Sequence, residues 1–548
     1  MEKQSNNQHN QIDISSFLEG TPQLYSSLFT AKNGSVIPVF ASNRTMESRY
    51  NPQSEAERLV EVTPSSSFYI VLGIGGGILI EKLLQKYPSS FFLCIEKDDE
   101  TLTFLHQLPL ITELENNPHV KLTTIQNLSS DFEATYIPSL YGGLYVVEQK
   151  GWVQEVEYLY PLIQRIIKAS LNNISADFSV QTHFGKMWQK NILNNLKTYS
   201  FITSNAFNLL EAKLKSSKQK KAAIIAAGPS LDKTISILSN SRYKYFIIST
   251  DTAYTSLLRN NLIPDAVVSI DGQNVSHSHF FNNNPDLSST LFVFDLCANH
   301  SAVNHIANYT ANILFSASGH PFSELICSYA PQTFIHLFSG SGTVTISALD
   351  FAVKCGFSSI EVFGADFSYY KTRTYTKGTY LDDLFSVNSS ALKTFEYNFL
   401  KLLFRTELIQ SDDDERTSTT VLDSYRQSFE QYLQSNNYSF NKTNNRYFIT
   451  LNNSQNIFSQ ASAYSPLTKS DFIEIIKRLQ NQLKINENEL KNSSEMQKNT
   501  IFELNNLDIS LLPLISSLRF YDNKNSSFQV YLKKAYQLLS RNLSQYEK

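Results

Sequence analysis

The sequence predicts an α/β protein with a Rossmann-like N-terminal domain, a central domain on a largely parallel α/β sheet, and a helical C-terminal domain. Three observations carry this. Short apolar runs recur between segments of helical apolar spacing, the pattern of parallel strands joined by crossover helices. Glycine-bearing turns follow early strands, at Gly73-Ile74-Gly75-Gly76-Gly77 and at Gly228-Pro229-Ser230. After Pro466 the strand-like runs stop and an amphipathic helical pattern replaces them.

A chain of 548 residues exceeds one hydrophobic core and corresponds to about three or four domains. The expected divisions are an N-terminal extension (1–60), the Rossmann-like domain (61–150), a helical connector (151–217), the central domain (218–460) and the helical C-terminal domain (466–548). A hydrophobic content of 42% fills several cores, and 18 Gly and 16 Pro are too few for a collagen-like or largely disordered chain. The net charge of −3, without a long Lys/Arg block, gives no attraction to nucleic acid. The polar opening M-E-K-Q-S-N-N-Q-H-N-Q lacks the apolar centre of a signal peptide, and no stretch approaches the roughly 18 apolar residues of a membrane span. A cytoplasmic location is expected. Cys94, Cys297, Cys327 and Cys355 are scattered along apolar runs without a C-x-x-C pair, so they are expected to be buried thiols and not zinc ligands.

In the first domain an apolar strand, Phe68–Leu72, runs into the glycine turn, then a helix through Ile80, Leu83 and Leu84, then a strand Phe91–Ile95 ending at Glu96. This is a βαβ unit with an acidic residue where a ribose hydroxyl is held in nucleotide-binding folds. Further strands are expected at Val120–Ile125 and Leu144–Val147. The glycine turn with Glu96 resembles the first motifs of methyltransferases that use S-adenosylmethionine. No N-P-P-Y or D-P-P-Y motif follows, and a degenerate module, structural or weakly ligand-binding, is expected instead. The connector carries helical spacing through Val156, Leu159, Leu162 and Ile166, with His183, Trp188, Asn191, Asn194 and Asn195 further on; His183 is expected to be a packed helix residue.

In the central domain, strands are expected at Ala223–Ala226, Tyr245–Ser249, Ala266–Ile270, Leu291–Phe294, Asn312–Phe315, Thr333–Leu337 and Ile360–Phe363. In a parallel sheet, ligands bind at the carboxyl ends of the strands. Those ends here read Gly228-Pro229-Ser230, Ser249-Thr250-Asp251, Ser269-Ile270-Asp271, Ser318-Gly319-His320, Ser339-Gly340-Ser341-Gly342 and Gly364-Ala365-Asp366. Gly228 permits a tight turn, Pro229 suits a first helical turn, and Ser230 lies beside amides that have no helical partner. Taken singly, Asp251 and Asp271 read as caps or turn residues, Ser341 as an N-cap and Gly364 as a turn. Taken together, two helix N-termini, at Ser230 and Ser341, supply positive dipole ends, while Asp251 and Asp271 can grip hydroxyls and amino groups. The final segment begins with Thr468 and Asp471 in a capping-box arrangement, followed by Phe472, Ile475, Ile476, Leu479 and Leu483 on one face.

G-P-S-L-D, then S-T-D-T-A-Y, then P-D-A-V-V-S-I-D, then S-G-S-G-T-V and finally I-E-V-F-G-A-D-F resemble the motility-associated factor (Maf) proteins, bacterial flagellin glycosyltransferases. The central domain of that family is similar to bacterial sialyltransferases and to archaeal 6-hydroxymethylpterin pyrophosphokinase (MptE-like). The resemblance is best over about residues 176–460, and the order of domains fits the family throughout. It implies transfer of a nonulosonic acid of the pseudaminic, legionaminic or sialic type from its CMP ester to Ser or Thr of flagellin, a step in flagellar assembly and motility.

Carried over, the resemblance implies donor binding by Gly228, Pro229, Ser230, Thr250, Ser341, Gly342, Gly364, Tyr369 and Tyr370. Tyrosine hydroxyls and helix amides suit charge growing on the departing phosphate, and Tyr369, Tyr370 and Tyr375 follow the G-A-D-F strand. The acceptor hydroxyl needs a general base, for which Asp251, Asp271, Asp366 and His320 are the candidates. The Tyr that directly follows G-x-D-F in the sialyltransferases is Ser368 here, and no His occurs after His336 to match the sialyltransferase His. No D-x-D pair closes a central strand, so no obligatory metal or other cofactor is expected, and Asp412-Asp413-Asp414-Glu415 reads as a solvated loop. Two alternatives stay open: a pterin-type diphosphokinase using ATP and Mg²⁺ on Asp251, Asp271 and Asp366, and a non-catalytic assembly factor that binds flagellin.

Overall fold

The computed structural model describes residues 20, 22–202, 204–217, 220–280, 287–340, 342–410, 415–452, 456–458, 464–492, 500–522 and 526–546. Contacts divide the chain into two compact units, residues 1–186 with 482–544, and residues 187–481 with 545–548. The division falls inside the helices Tyr160–Phe201 and Lys469–Asn492. It therefore differs from the five expected segments. Helices Asn506–Ser510, Leu512–Phe520 and Phe528–Ser544 group with the N-terminal residues because their partners are there. Phe502 lies 6.1 Å from Phe91, Arg519 donates to the Ser139 carbonyl at 2.9 Å, and Ser516 donates to Gln181 at 2.9 Å. His183, expected to be packed, instead lies exposed on its helix, its Nδ1 3.0 Å from the Ser179 carbonyl and its ring 5.8 Å from that of Phe520.

Within the expected N-terminal extension the first unit forms an antiparallel hairpin, β1 (Tyr25–Thr30) and β2 (Val36–Phe40). Its parallel sheet has the order β5-β4-β3-β6, formed by β3 (Phe68–Leu72), β4 (Phe91–Glu96), β5 (Val120–Thr124) and β6 (Leu144–Glu148). The two central strands, F-Y-I-V-L and F-F-L-C-I-E, are buried at every position. That is why they are continuous apolar runs and not alternating ones.

The second unit is built on β7 (Lys221–Ile225), β8 (Tyr245–Thr250), β9 (Ala266–Ser269), β10 (Leu291–Asp295), β11 (Ile313–Ala317), β12 (Ile335–His336) and β13 (Ser359–Phe363). A three-stranded sheet follows from β14 (Tyr369–Tyr370), β15 (Leu408–Gln410) and β16 (Arg416–Thr419), and then a hairpin of β17 (Ser439–Thr443) and β18 (Arg446–Thr450). Among the described residues the main sheet has the order β12-β11-β10-β9-β8-β7-β13-β18-β17. It is parallel from β12 to β13, and β18 joins β13 antiparallel. All seven strands expected from sequence are present, while the β17–β18 hairpin and the small sheet are additions.

Alternation along β7 shows how both faces are covered. Ala222 and Ile224 pack in one core with Phe207, Leu210, Leu349 and Phe351, whereas Ala223 and Ile225 pack in another with Leu231, Leu238, Ala253 and Leu257. The order reverses at β7, with β8 on one side and β13 on the other, which makes a topological switch point at the strands' carboxyl ends. Among the described residues no helix is long and apolar enough to cross a membrane.

Candidate functional site

At the switch point the expected phosphate turn is already occupied. The Gly228 N–H donates to the Gly364 carbonyl at 2.7 Å, and the Ser230 N–H donates to Asp366 Oδ2 at 2.8 Å. A Cβ on Gly228 would overlap Asp366 Oδ2 and the Gly364 oxygen, and one on Gly364 (φ +68°) would overlap the Ala226 oxygen. The glycines at these positions thus serve the close approach of β7 to β13. The other oxygen of Asp366 accepts from Arg416 Nη1 at 3.0 Å, with the carboxyl side chain 1% and the guanidinium side chain 12% exposed. Asp366 is therefore an internal cap for helix Leu231–Asn240, which begins at Leu231 after Pro229-Ser230 and has no side-chain cap of its own. The base role expected for Asp366 has no free oxygen to act through.

His320 is similarly committed. Its Nδ1 accepts from the Phe322 N–H at 3.1 Å, capping helix Pro321–Tyr329, and the Trp188 ring stands 5.4 Å away, edge-on. Burial pulls this histidine down to about 4, so it stays neutral, and Nε2 is enclosed without a partner. Asn191 and Asn195 of the connector hold the loops after β9 and β10: Asn191 donates to the carbonyls of Gly272 and Cys297, and Asn195 to those of Leu296 and Ala298.

Asp251 and Asp271 do converge. Asp251 begins helix Asp251–Arg259, and its Oδ2 accepts from Ser269 Oγ at 2.7 Å, tying the end of β8 to that of β9. Its Oδ1 accepts from the Thr252 N–H at 2.7 Å. Thr250 beside it is buried, donating to the Ile225 carbonyl at 3.2 Å. Asp271 follows β9, half-buried, with Oδ1 accepting from the Gln273 N–H at 2.9 Å. Burial raises its carboxyl above the ordinary aspartate range, and the Asp251 charge adds to this.

Around these carboxylates stands a group of half-buried tyrosines. Burial holds the Tyr375 phenol well above its usual value, reinforced by Tyr380, Asp251, Tyr369 and Tyr425. Tyr380 is raised by burial and then by Asp271 and Asp251, and Tyr425 by burial and then by Asp271. His279, buried, meets the Tyr380 ring edge-on at 4.7 Å, and its Nδ1 has no partner. Like any tyrosine at neutral pH these phenols are protonated, and so can donate hydrogen bonds. Tyr370 is elsewhere: adjacent residues of a strand point to opposite faces, and its hydroxyl donates to Glu415 at 2.7 Å while Lys233 Nζ stands 4.8 Å over its ring.

Ser341 and Asp412 to Asp414 lie outside the described residues. Gly342 (φ +69°) faces Tyr425, whose Cε1 would be 3.4 Å from a Cβ there, so this glycine borders the tyrosine group. The cap of helix Val344–Lys354 is Thr343, not Ser341. Tyr380, Tyr425 and His279 escaped the sequence reading. Tyr425 lies on helix Thr420–Ser435, far along the chain from β8 and β9, and no local spacing signals it. Tyr380 opens helix Tyr380–Val387 after Gly378-Thr379, a turn that could have marked it.

A family model described as 6-hydroxymethylpterin diphosphokinase MptE-like matches residues 190–372. An uncharacterized protein of Treponema pallidum (strain Nichols) is 33% identical over 150 residues, 27% of this chain and 68% of that protein. Two further uncharacterized proteins of that organism are 32% identical over 146 residues and 25% identical over 376 residues, where the chain spans 51% and 63% of their lengths. Among solved structures, a Maf glycosyltransferase from Magnetospirillum magneticum AMB-1 superposes with a TM-score of 0.53 at 11% identity, over 97% of this chain and 88% of that one. At that identity the likeness is one of fold.

Proposed function

The chain belongs to one family with the first of those Treponema pallidum proteins, carries an MptE-like domain and has the fold of a Maf glycosyltransferase; from this premise we propose that it is a glycosyltransferase acting at the ends of β8 and β9. The donor is a CMP-activated nonulosonic acid and the acceptor a Ser or Thr hydroxyl of flagellin, modified in the cytoplasm before export. The observation that carries the reading is the gathering of the half-buried Asp271 carboxylate with the hydroxyl-bearing Tyr375, Tyr380 and Tyr425.

The chemistry follows from those residues. The acceptor oxygen bonds to the anomeric carbon as the bond from that carbon to the phosphate oxygen breaks. Asp271 takes the hydroxyl proton, its raised affinity for a proton bringing it nearer to working pH. Tyr375, with Tyr380 and Tyr425, donates hydrogen bonds to the departing phosphate, and a neutral donor stabilises growing charge without neutralising the base. Asp251 acts through Ser269 and is a positioning residue. No metal enters these steps.

The match to the MptE-like model favours one rival, a diphosphokinase using ATP and Mg²⁺. Thermal-shift titrations with CMP, ATP and ATP with Mg²⁺ separate the two, because a ligand bound only by the native state raises its melting temperature. Stabilisation by CMP, reduced in Tyr375→Phe, supports the transferase. Stabilisation by ATP with Mg²⁺ alone replaces it with the kinase, and no response to any of them leaves a binding protein without this chemistry.

A further inference from the structure

We propose that the glycine-rich loop of the first unit is liganded by its own chain, with Met46 and Glu47 filling the place that a nucleotide's phosphate and sugar would take. Three contacts define the occupant, and a fourth closes the loop with Trp152. The Gly76 N–H donates to Glu47 Oε1 at 2.5 Å, so a carboxyl oxygen already sits where a phosphate oxygen would meet the loop. A Cβ on Gly75 (φ +56°) would overlap Met46 Cε and lie 2.6 Å from Glu47 Oε1. Gly151 packs on the Met46 backbone, a Cβ there falling 3.1 Å from Met46 Cα. Gly73 (φ +92°) lies under Trp152, whose Cγ would be 2.6 Å from a Cβ. In a nucleotide fold these glycines leave room for the ligand; here side chains of the same chain use that room.

The acidic position at the end of β4 has been absorbed in the same way. Glu96 is fully buried, accepting from the Trp152 indole at 2.6 Å, the Lys97 N–H at 3.0 Å, the Ile74 N–H at 3.2 Å and the Tyr25 hydroxyl at 3.4 Å. Both its oxygens are engaged, and no ribose hydroxyl has access. Tyr25 belongs to β1 and Met46 to the turn after β2, so the segment read as an extension closes the loop. The space left beside Glu47, between Arg58, Leu59, Ile78 and Lys150, is a cavity of about 240 Å³. That is below the roughly 300 Å³ at which small-molecule sites begin. The first unit is thus a nucleotide fold that holds its own glycine loop closed.

Hydrogen exchange over residues 70–79 tests this in the full chain, with S-adenosylmethionine, NAD, ATP and CMP as probes. The wild type is expected to show a protected Gly76 amide that none of the four nucleotides changes. Glu47→Ala is expected to raise exchange there by about tenfold, the equivalent of one lost hydrogen bond. Glu47→Gln, whose amide oxygen still accepts from Gly76, is expected to keep the protection and guards against a variant that merely unfolds. Added protection of the loop by any of the nucleotides in the wild type overturns the proposal, as does an unchanged Gly76 in Glu47→Ala. Neither result depends on whether the second unit transfers a sugar.

Discussion

The Asp366 carboxylate bridges the Ser230 N–H at 2.8 Å and the Arg416 guanidinium at 3.0 Å, joining the turn after β7 to the turn after β13 and to β16. An acid that closes a strand in the sequence is thereby a cap and half of a buried ion pair. Its removal leaves Arg416 enclosed without that countercharge.

Asp366→Ala is expected to cost about 3–5 kcal/mol of stability, the range for breaking a buried pair from one side. Urea unfolding measures it. Asp366→Leu with Arg416→Met, which removes both charges, is expected to cost less, and a double variant as damaged as the single one contradicts the pairing.

Asp271→Asn is expected to lower kcat for sugar transfer by about 10²–10⁴ while leaving the melting temperature nearly unchanged, the size typical of a lost general base. In the wild type the rate falls as acid protonates Asp271, at a pH above that of an ordinary aspartate because burial raises its carboxyl. A kcat within a few-fold of wild type would remove Asp271 from the chemistry.

Tyr375→Phe is expected to cost about 10²–10³ in kcat, the effect of one donor lost from developing charge. The readout is CMP release at saturating donor. Tyr370→Phe serves as the internal comparison, because its hydroxyl is held by Glu415, and it is expected to stay near wild type.

Burial pushes Glu47 and Glu96 up from 4.5 to about 7. A folded state that keeps a proton after the unfolded chain has released it loses stability as pH rises. The stability of the first unit is therefore expected to be full below about pH 4.5 and to decline up to about pH 7, by at most about 1.4 kcal/mol per pH unit for each group. Urea midpoints at pH 5 and pH 8 measure the slope, and Glu47→Gln is expected to flatten it. A midpoint that rises with pH in the wild type and is unaffected by the substitution would contradict this.

A chelator added to the transferase assay is expected to leave CMP release unchanged. Abolished release would reinstate a metal on Asp251 and Asp271.

Much of the fold was legible locally. Runs such as F-Y-I-V-L and Y-F-I-I-S-T are continuous because both faces of their sheets are covered, and that pattern needs no knowledge of the partner strand. Antiparallel β18 beside β13 was not legible, since an edge hairpin with mixed polarity resembles a loop in sequence. Of the candidate site, Asp251 and Asp271 were readable as strand-end acids. Tyr380 and Tyr425 were not, because they reach the cluster from helices whose placement depends on long-range packing.

The order of strands, their glycine-bearing turns and the acids that close them were determined by the sequence itself, through burial periodicity and turn chemistry. Which of those acids is free was decided only in three dimensions. Asp366 and Asp271 look alike as residues that follow a strand. One meets Arg416 and a helix amide from distant segments and is consumed by them, whereas the other is only half-buried, beside Tyr380 and Tyr425. The same holds for Glu96, ribose-like in sequence and enclosed by Tyr25 and Trp152 in the fold. A carboxylate's role depends on the partners that desolvate and satisfy it, and those partners are brought by tertiary packing.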